Sequence, residues 1–164
     1  MEIPREQRDL YIGLTDRDWY EFLARRPGLD EVNFWRPGGG TLNPRPGAPF
    51  LLKLKAPLNA IVGVGFFERS VRYSIRDAWE FFGEKNGVEH ISRLVARISK
   101  YVGRPVDDRH EIGCIFLDQP TFFVRLKISS ATTKRFLSAN PQGRGASIRR
   151  LQRLLGVTKP RYSA

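Results

Sequence analysis

The sequence predicts an α+β fold, in which a small mixed β-sheet or barrel is flanked by helices and followed by a basic C-terminal extension. Residues 50–55 and 61–67 alternate in polarity or side-chain size as strands do, and a short turn separates them. Between Val88 and Tyr101, apolar residues recur at the spacing of an amphipathic helix. The predicted order of helix, strand, loop, hairpin, helices and strands favours this architecture.

The first predicted elements are a short helix and a strand. Residues 15–18 (TDRD) resemble a capping box, with an acid at its fourth position. Apolar residues at helical spacing follow, so a helix is predicted to about Arg26, before Pro27-Gly28. Residues 31–35 are predicted to form a strand. The Gly- and Pro-rich residues 36–49 then form a loop that is long enough to be functional.

The predicted hairpin joins residues 50–55 to residues 61–67 through Pro57-Leu58-Asn59. On the second strand, Gly63 and Gly65 occupy alternate positions of one face. Glycine removes side chains from that face, which allows a helix, another backbone or a ligand to approach closely.

The C-terminal half of the front domain is predicted to contain two helices and two strands. Ser74 is a candidate N-cap for a helix through Phe82 that ends at Gly83, and a second helix covers residues 88–101. Residues 112–117 and 121–126 are then predicted to form strands around a turn at 118–120.

The charge distribution divides the chain into a front domain, residues 1–123, and a basic tail, residues 124–164. The net charge is +11, but all 17 acidic residues lie at or before Asp118. The front domain is therefore almost neutral, and any nucleic-acid site in it must be a local patch.

Several classes of protein are excluded by composition. The single cysteine, Cys114, permits no internal disulfide or thiolate zinc cluster, and it is expected in the core. No apolar run is long enough to span a membrane, and the N-terminus lacks the apolar segment of a signal peptide. We therefore expect a soluble, cytoplasmic protein without a membrane partner.

Five segments resemble, in the same order, the N-terminal region of HNH restriction endonucleases, over roughly residues 14–123. They are residues 33–37 (NFWRP), 50–55 (FLLKLK), 61–67 (IVGVGFF), 78–87 (AWEFFGEKNG) and 111–115 (EIGCI). The strand pattern is also similar, more weakly, to EVE and other PUA-like domains. The resemblance implies a PUA-like barrel that binds a flipped, often modified, base in an aromatic pocket and delivers DNA to an attached nuclease.

A pocket for an unstacked base needs flat apolar surfaces for its faces and amide or backbone groups for its edge. The base-pocket candidates are Asn33, Phe34, Trp35, Phe66, Phe67, Trp79 and Asn86. The phosphate-contact candidates are Lys53, Lys55, Arg69, Arg72, Arg76 and Lys85.

Each candidate also has a structural alternative. Phe66 is at a spacing that more often places an aromatic ring in the core, and for Trp35 and Trp79 pocket and core are both open. Asn86-Gly87 is a common turn dipeptide. Lys53 and Lys55 alternate along a strand, as residues of a solvated face do.

The front domain and tail contain no convincing catalytic or metal site. The chain has only two histidines, His90 and His110, whereas an HNH centre needs a metal-binding set with a general base. The acidic pairs Asp16/Asp18 and Asp107/Asp108 are better explained by helix capping and a polar loop. We expect no cofactor for this chain, since a divalent metal would belong only to a missing nuclease domain or subunit.

The resemblance stops at Val124. One hypothesis is that a frameshift truncated a longer endonuclease here. The alternative is a native basic tail, disordered or with a short helix over residues 147–155, which would bind nucleic acid nonspecifically and release it as salt rises.

Three functions from different classes remain open. The first is a DNA-binding specificity module, reading modified bases for an HNH restriction system. The second is a PUA-like module that binds RNA. The third is a partner-binding domain without a nucleic-acid site, which burial of Trp35 and Trp79 would favour.

Overall fold

The computed structural model describes residues 11–123. Within this range there are five strands, three α-helices and one 3₁₀ helix: β1 Tyr11–Thr15, α1 Arg17–Ala24, β2 Glu31–Arg36, β3 Pro49–Leu54, β4 Ile61–Ser74, α2 Ile75–Phe82, the 3₁₀ helix Gly83–Asn86, α3 Ile91–Val102 and β5 Glu111–Phe122. The strands form one mixed sheet flanked by the helices, so the predicted α+β fold is confirmed. The basic tail lies outside the described residues.

The sheet has the strand order β1-β3-β4-β5-β2. β1 pairs with β3 in parallel, and every other pair is antiparallel. The two edge strands nevertheless approach each other, since a Cβ atom placed on Gly13 of β1 would lie 2.7 Å from Cζ of Phe34 in β2. The sheet therefore curls far enough for the Phe34 ring to reach β1, and we call the gap between these two edge strands the seam.

The predicted hairpin of β3 and β4 is confirmed, and its glycines have a definite role. A Cβ atom on Gly63 would lie 2.8 Å from the backbone oxygen of Thr121, and one on Gly65 would lie 2.9 Å from Cβ of Leu117. Both contacts are with β5, which pairs with β4 over ten residue pairs. The glycine face thus accommodates a neighbouring strand, one of the three approaches that the sequence left open.

The observed ends of the helices agree only in part with those predicted from the sequence. Ser74 caps α2 as predicted, because its hydroxyl accepts a hydrogen bond from the backbone N–H of Asp77 at 3.0 Å. At α1 the capping box is wrong: the hydroxyl of Thr15 instead donates to the carbonyl oxygen of Gly13, and Asp16 is the N-cap residue. α3 begins at Ile91, three residues later than predicted.

Three strand predictions need correction. β1 was not predicted, and β4 extends seven residues beyond Phe67 to Ser74. Residues 112–117 and 121 onward belong to one strand, β5, rather than to two strands around a turn. Register shifts in β4 accommodate the irregular Gln119, whose φ is +46°, so pairing continues as far as Phe122. The predicted strand residues beyond Phe123 lie outside the described range.

The core lies between the sheet and the helices. Leu23 from α1, Ala78 from α2 and Leu94 from α3 are fully buried against it. Cys114 is also fully buried, as expected. Among residues 11–123, no helix is long and apolar enough to cross a membrane.

Candidate ligand pocket between β1 and β2

A pocket of about 640 Å³ occupies the seam between the two edge strands. It is bounded by β1, β2, the loop after β2, and side chains from β3 and α3. Its lining residues are Tyr11, Ile12, Gly13, Leu14, Asp16, Trp19, Phe34, Trp35, Arg36, Pro37, Gly38, Gly40, Leu42, Phe50, Lys55, Tyr101 and Ile115. This volume is typical of a pocket for a small molecule or a nucleotide.

The inner wall of the pocket is aromatic. The ring centroids of Phe34 and Phe50 are 5.0 Å apart, and Trp19 meets Phe34 edge-on at 5.7 Å. Gly13 lies directly against these phenylalanine rings, where a larger residue would collide with them. The wall is thus aromatic and apolar, and a planar ligand can pack against it.

Trp35 belongs to both the core and the pocket. Its side chain is only 9% exposed, and its indole N–H donates to the carbonyl oxygen of Asn86 at 2.9 Å. Its ring also packs edge-on against Tyr101, with centroids 6.0 Å apart. The two alternatives for Trp35 are therefore not exclusive. Burial alone would favour a partner-binding domain, whereas a place in the pocket wall favours a ligand.

Two exposed cations line the pocket, Lys55 and Arg36. The ammonium group of Lys55 donates to the hydroxyl of Tyr101 at 2.8 Å and lies 4.4 Å from the centroid of its ring. Within residues 11–123, no carboxylate lies within 4 Å of either cation. Both positive charges are consequently available to an anionic group.

Asp16 is the acidic residue among those that line the pocket. It is the N-cap residue of α1, but its side chain accepts no hydrogen bond from the helix. Its carbonyl oxygen does accept a bond from the N–H of Tyr20, so the helix start is formed by the backbone. In the part of the chain that the structure describes, its carboxylate has no hydrogen-bond or ion-pair partner.

The edge strands also bring backbone polar groups to the seam. Among the described residues, β1 is paired only with β3 and β2 only with β5, so each strand has one edge without a ladder there. Such an edge presents N–H and C=O groups that can bond to a ligand. One of them is already used, because the indole N–H of Trp19 donates to the carbonyl oxygen of Asn33 at 3.3 Å.

The two predicted edge-reading amides lie elsewhere. Asn33 and Asn86 are fully buried, and neither lines the pocket. Nδ2 of Asn33 donates to Oδ1 of Asn86 at 2.8 Å, and Asn86 donates in turn to the carbonyl oxygens of Ala78 and Gly83. Gly87 follows in a left-handed conformation with φ +81°, so the turn interpretation of Asn86-Gly87 is confirmed.

The remaining predicted aromatic residues are also outside the pocket. Phe67 is 4% exposed and belongs to the core. Trp79 is half-buried and packs against the core from α2, while Phe66 is half-buried on β4. Of the seven base-pocket candidates, the structure brings together Phe34 and Trp35 at the pocket.

The predicted phosphate contacts separate into one pocket residue and a set with other partners. Lys55 alone lines the pocket. Arg76 pairs with Asp108 at 2.7 Å and Lys85 with Asp30 at 2.7 Å, and these hydrogen bonds raise the pKa of each cation. The other three have weaker partners: Arg72 pairs with Glu111 at 3.7 Å, Arg69 with Glu68 at 3.9 Å, and Lys53 donates to Oδ1 of Asn59 at 3.3 Å.

Six polar or aromatic pocket residues were not among the candidates: Tyr11, Asp16, Trp19, Arg36, Phe50 and Tyr101. Tyr11 was missed because β1 was not predicted. Tyr101 and Asp16 were assigned only to a helix face and a helix cap. Arg36 did carry a signal, since it follows Trp35 directly in the segment NFWRP.

One group of carboxylates outside the pocket has the spacing of a cation site. Glu31, Glu68 and Asp118 can place their oxygen atoms within 4.8 Å of one another. The ammonium group of Lys85 lies 3.6 Å from Glu31 and already neutralises part of this charge. The group is mostly exposed, and exposed acidic groups of this kind commonly hold no ion.

Comparisons with known proteins find a likeness at the level of the fold. No family model matches the chain, and no curated protein matches it. Crystal structures of the ASCH protein from Zymomonas mobilis do match. A tyrosine-to-phenylalanine mutant gives a TM-score of 0.51 at 13% identity over 93% of this chain and 100% of that chain.

Two further forms of that protein give similar values. The unmutated ASCH protein gives 0.49 at 12% identity over 92% of this chain and 94% of that chain, and a serine-to-alanine mutant gives 0.48 at 14% over 96% and 100%. The resemblance to HNH restriction endonucleases stays a prediction. The fold of residues 11–123 is an α+β fold resembling ASCH and PUA-like domains.

Proposed function

We propose that the protein is a nucleic-acid-binding module that takes one unstacked base into the pocket between β1 and β2. The observation that carries the proposal is the combination of an aromatic inner wall with two exposed cations, Lys55 and Arg36, in one pocket of about 640 Å³. An aromatic wall stacks on the face of any base, and cations beside it bind the phosphates.

The role of each pocket residue follows from the exposure of its side chain. Phe34 is half-buried at the inner wall and presents apolar surface there, and the buried Phe50 ring supports it. Lys55 and Arg36 are exposed and meet the sugar-phosphate backbone outside. Unstacking a base costs a few kcal/mol, which is least for a strand that is already single. We therefore expect single-stranded or flipped nucleotides to be the ligand rather than an intact duplex.

The proposal has a DNA form and an RNA form. In the DNA form the chain is the specificity module of an HNH restriction system and reads modified bases, with the nuclease and its divalent metal in another domain or subunit. In the RNA form it is a PUA-like RNA-binding module. Neither form requires a cofactor in this chain.

Binding by the full-length protein to labelled oligonucleotides at physiological salt tests the proposal. The panel contains single-stranded RNA and DNA, and duplexes with unmodified, methylated or hydroxymethylated cytosine or methylated adenine. A preference for one modified duplex supports the DNA form, and a preference for RNA supports the other. Fluorescence anisotropy gives the dissociation constants.

A matched pair of variants locates the site. Leu14 is 62% exposed at the pocket, and Leu58 is 45% exposed in the β3–β4 turn outside it. Leu14→Glu and Leu58→Glu add the same charge without disturbing the core, so both lose the same nonspecific attraction. We expect only Leu14→Glu to weaken binding further. Equal losses would place all binding outside the pocket and contradict the proposal.

A further inference from the structure

Asp16 is an unexpected residue for a pocket that binds nucleic acid. A carboxylate repels the phosphates that Lys55 and Arg36 attract, and so weakens binding of any polyanion unless the ligand supplies donors to it. Within residues 11–123 its acceptor atoms are unused, because it neither caps α1 nor pairs with a cation. Because Asp16 is half-buried at the pocket, a ligand that carries donors can bond to it in place of water.

The hydrogen-bonding chemistry of a carboxylate discriminates strongly among bases. It has two oxygen atoms and accepts only, so it is satisfied best by two adjacent donors. Guanine presents such a pair at N1–H and N2–H₂. Cytosine and adenine each present one amino group next to a ring-nitrogen acceptor, and uracil or thymine presents one N–H between two carbonyl oxygens. With these bases a carboxylate oxygen faces an acceptor.

We propose that the pocket selects guanine, with the carboxylate of Asp16 accepting hydrogen bonds from N1–H and N2–H₂ of the base. This inference rests on the proposed function and adds the identity of the base. The pocket volume accommodates a purine nucleotide. Lys55 and Arg36 keep the role that the proposed function gives them, since cationic side chains bind the phosphates beside the base.

The test uses five labelled single-stranded oligonucleotides that differ only at a central nucleotide, which is guanine, adenine, cytosine, uracil or inosine. We expect the guanine oligonucleotide to bind wild-type protein about tenfold more tightly than the other natural bases, as a bidentate contact typically provides. Inosine keeps N1–H but lacks the N2 amino group. Its affinity is expected to fall between those of guanine and adenine.

Asp16→Asn removes the double acceptor and leaves the fold intact. Asparagine is as favourable as aspartate at an N-cap, and the side chain makes no capping bond that could be lost. The variant is expected to bind all five oligonucleotides with similar affinity. Asp18→Asn is the matched control, because Asp18 lies on the same helix, is exposed, pairs with Arg97 at 3.8 Å and is not part of the pocket. It is expected to keep the guanine preference.

The outcomes separate this inference from the proposed function. Binding that depends on Leu14 but is equal for the natural bases overturns the guanine selection and leaves the pocket a base-binding site. A guanine preference that survives Asp16→Asn overturns the role of Asp16. Binding that is equally strong in Leu14→Glu and Leu58→Glu overturns both proposals together.

Discussion

The buried side chains of Asn33 and Asn86 are joined by a hydrogen bond of 2.8 Å, which ties β2 to the 3₁₀ helix after α2. The same 3₁₀ helix supplies the carbonyl oxygen that accepts the indole N–H of Trp35. Trp35 in turn forms part of the pocket wall. The asparagine pair therefore fixes the position of a pocket residue, although neither asparagine reaches the pocket itself.

Asn86→Ala is expected to lower the free energy of unfolding by about 3 kcal/mol, because it leaves buried polar groups of Asn33, Ala78 and Gly83 without their partner. Urea denaturation measures the change. Asn43→Ala serves as the control, since Asn43 is exposed in the loop before β3 and is expected to change stability by less than about 0.5 kcal/mol. Similar losses of unfolding free energy in the two variants would show that the buried network does not stabilise the protein.

The parts of the fold that could be predicted are those with a local signal. The hairpin has alternation and a turn, and Ser74 precedes a helix as a good N-cap should. β1 has no such signal, because its strand conformation depends on parallel pairing with β3, far along the chain. The irregular Gln119 resembles a turn locally, but pairing with β4 keeps it within β5.

Gly65→Ala is expected to destabilise the protein by about 1–3 kcal/mol, the usual cost of overpacking, since the new methyl group would lie 2.9 Å from Cβ of Leu117. Gly65 lies at a register shift of the β4–β5 ladder, and the pairs on either side of it, Val64–Thr121 and Phe66–Asp118, hold the two strands together. Gly38→Ala is the control, because a Cβ atom there meets no atom within 4 Å. Thermal or urea denaturation that shows the same stability for both variants would contradict the close approach of β4 and β5.

Lys55→Ala is expected to weaken nucleic-acid binding and to reduce its dependence on salt. Removing one phosphate contact to a single strand lowers the slope of log affinity against log salt by about 0.7. Lys85→Ala is the comparison. Because Lys85 is already paired with Asp30 and Glu31, its removal is expected to leave the slope unchanged. Anisotropy titrations at several salt concentrations measure both slopes. A larger change for Lys85→Ala would favour a binding surface away from the pocket.

A site residue could be predicted only where its own type and its neighbours in the sequence indicated the same role. Phe34 and Trp35 were found because the segment NFWRP carries two adjacent aromatic residues, which offer flat apolar surfaces for a base. Asn33 and Asn86 were assigned to a ligand because amides read bases, yet a buried amide can also hydrogen-bond to another amide. Sequence alone does not distinguish these two partners, since the choice depends on which elements the fold brings together.

Burial of Cys114 makes the stability of the protein depend on pH in the alkaline range. Desolvation raises the pKa of its thiol from 9.0 to about 11, whereas the unfolded chain keeps the lower value. The folded state thus holds the proton more tightly, and this contribution to stability is complete below pH 9 and is lost as the pH rises towards 11. Urea denaturation from pH 8 to 11 is expected to show a steeper loss of stability for wild type than for Cys114→Ala, which has no thiol to titrate. Parallel curves would show that the thiol is no harder to ionise in the folded state than in the unfolded chain.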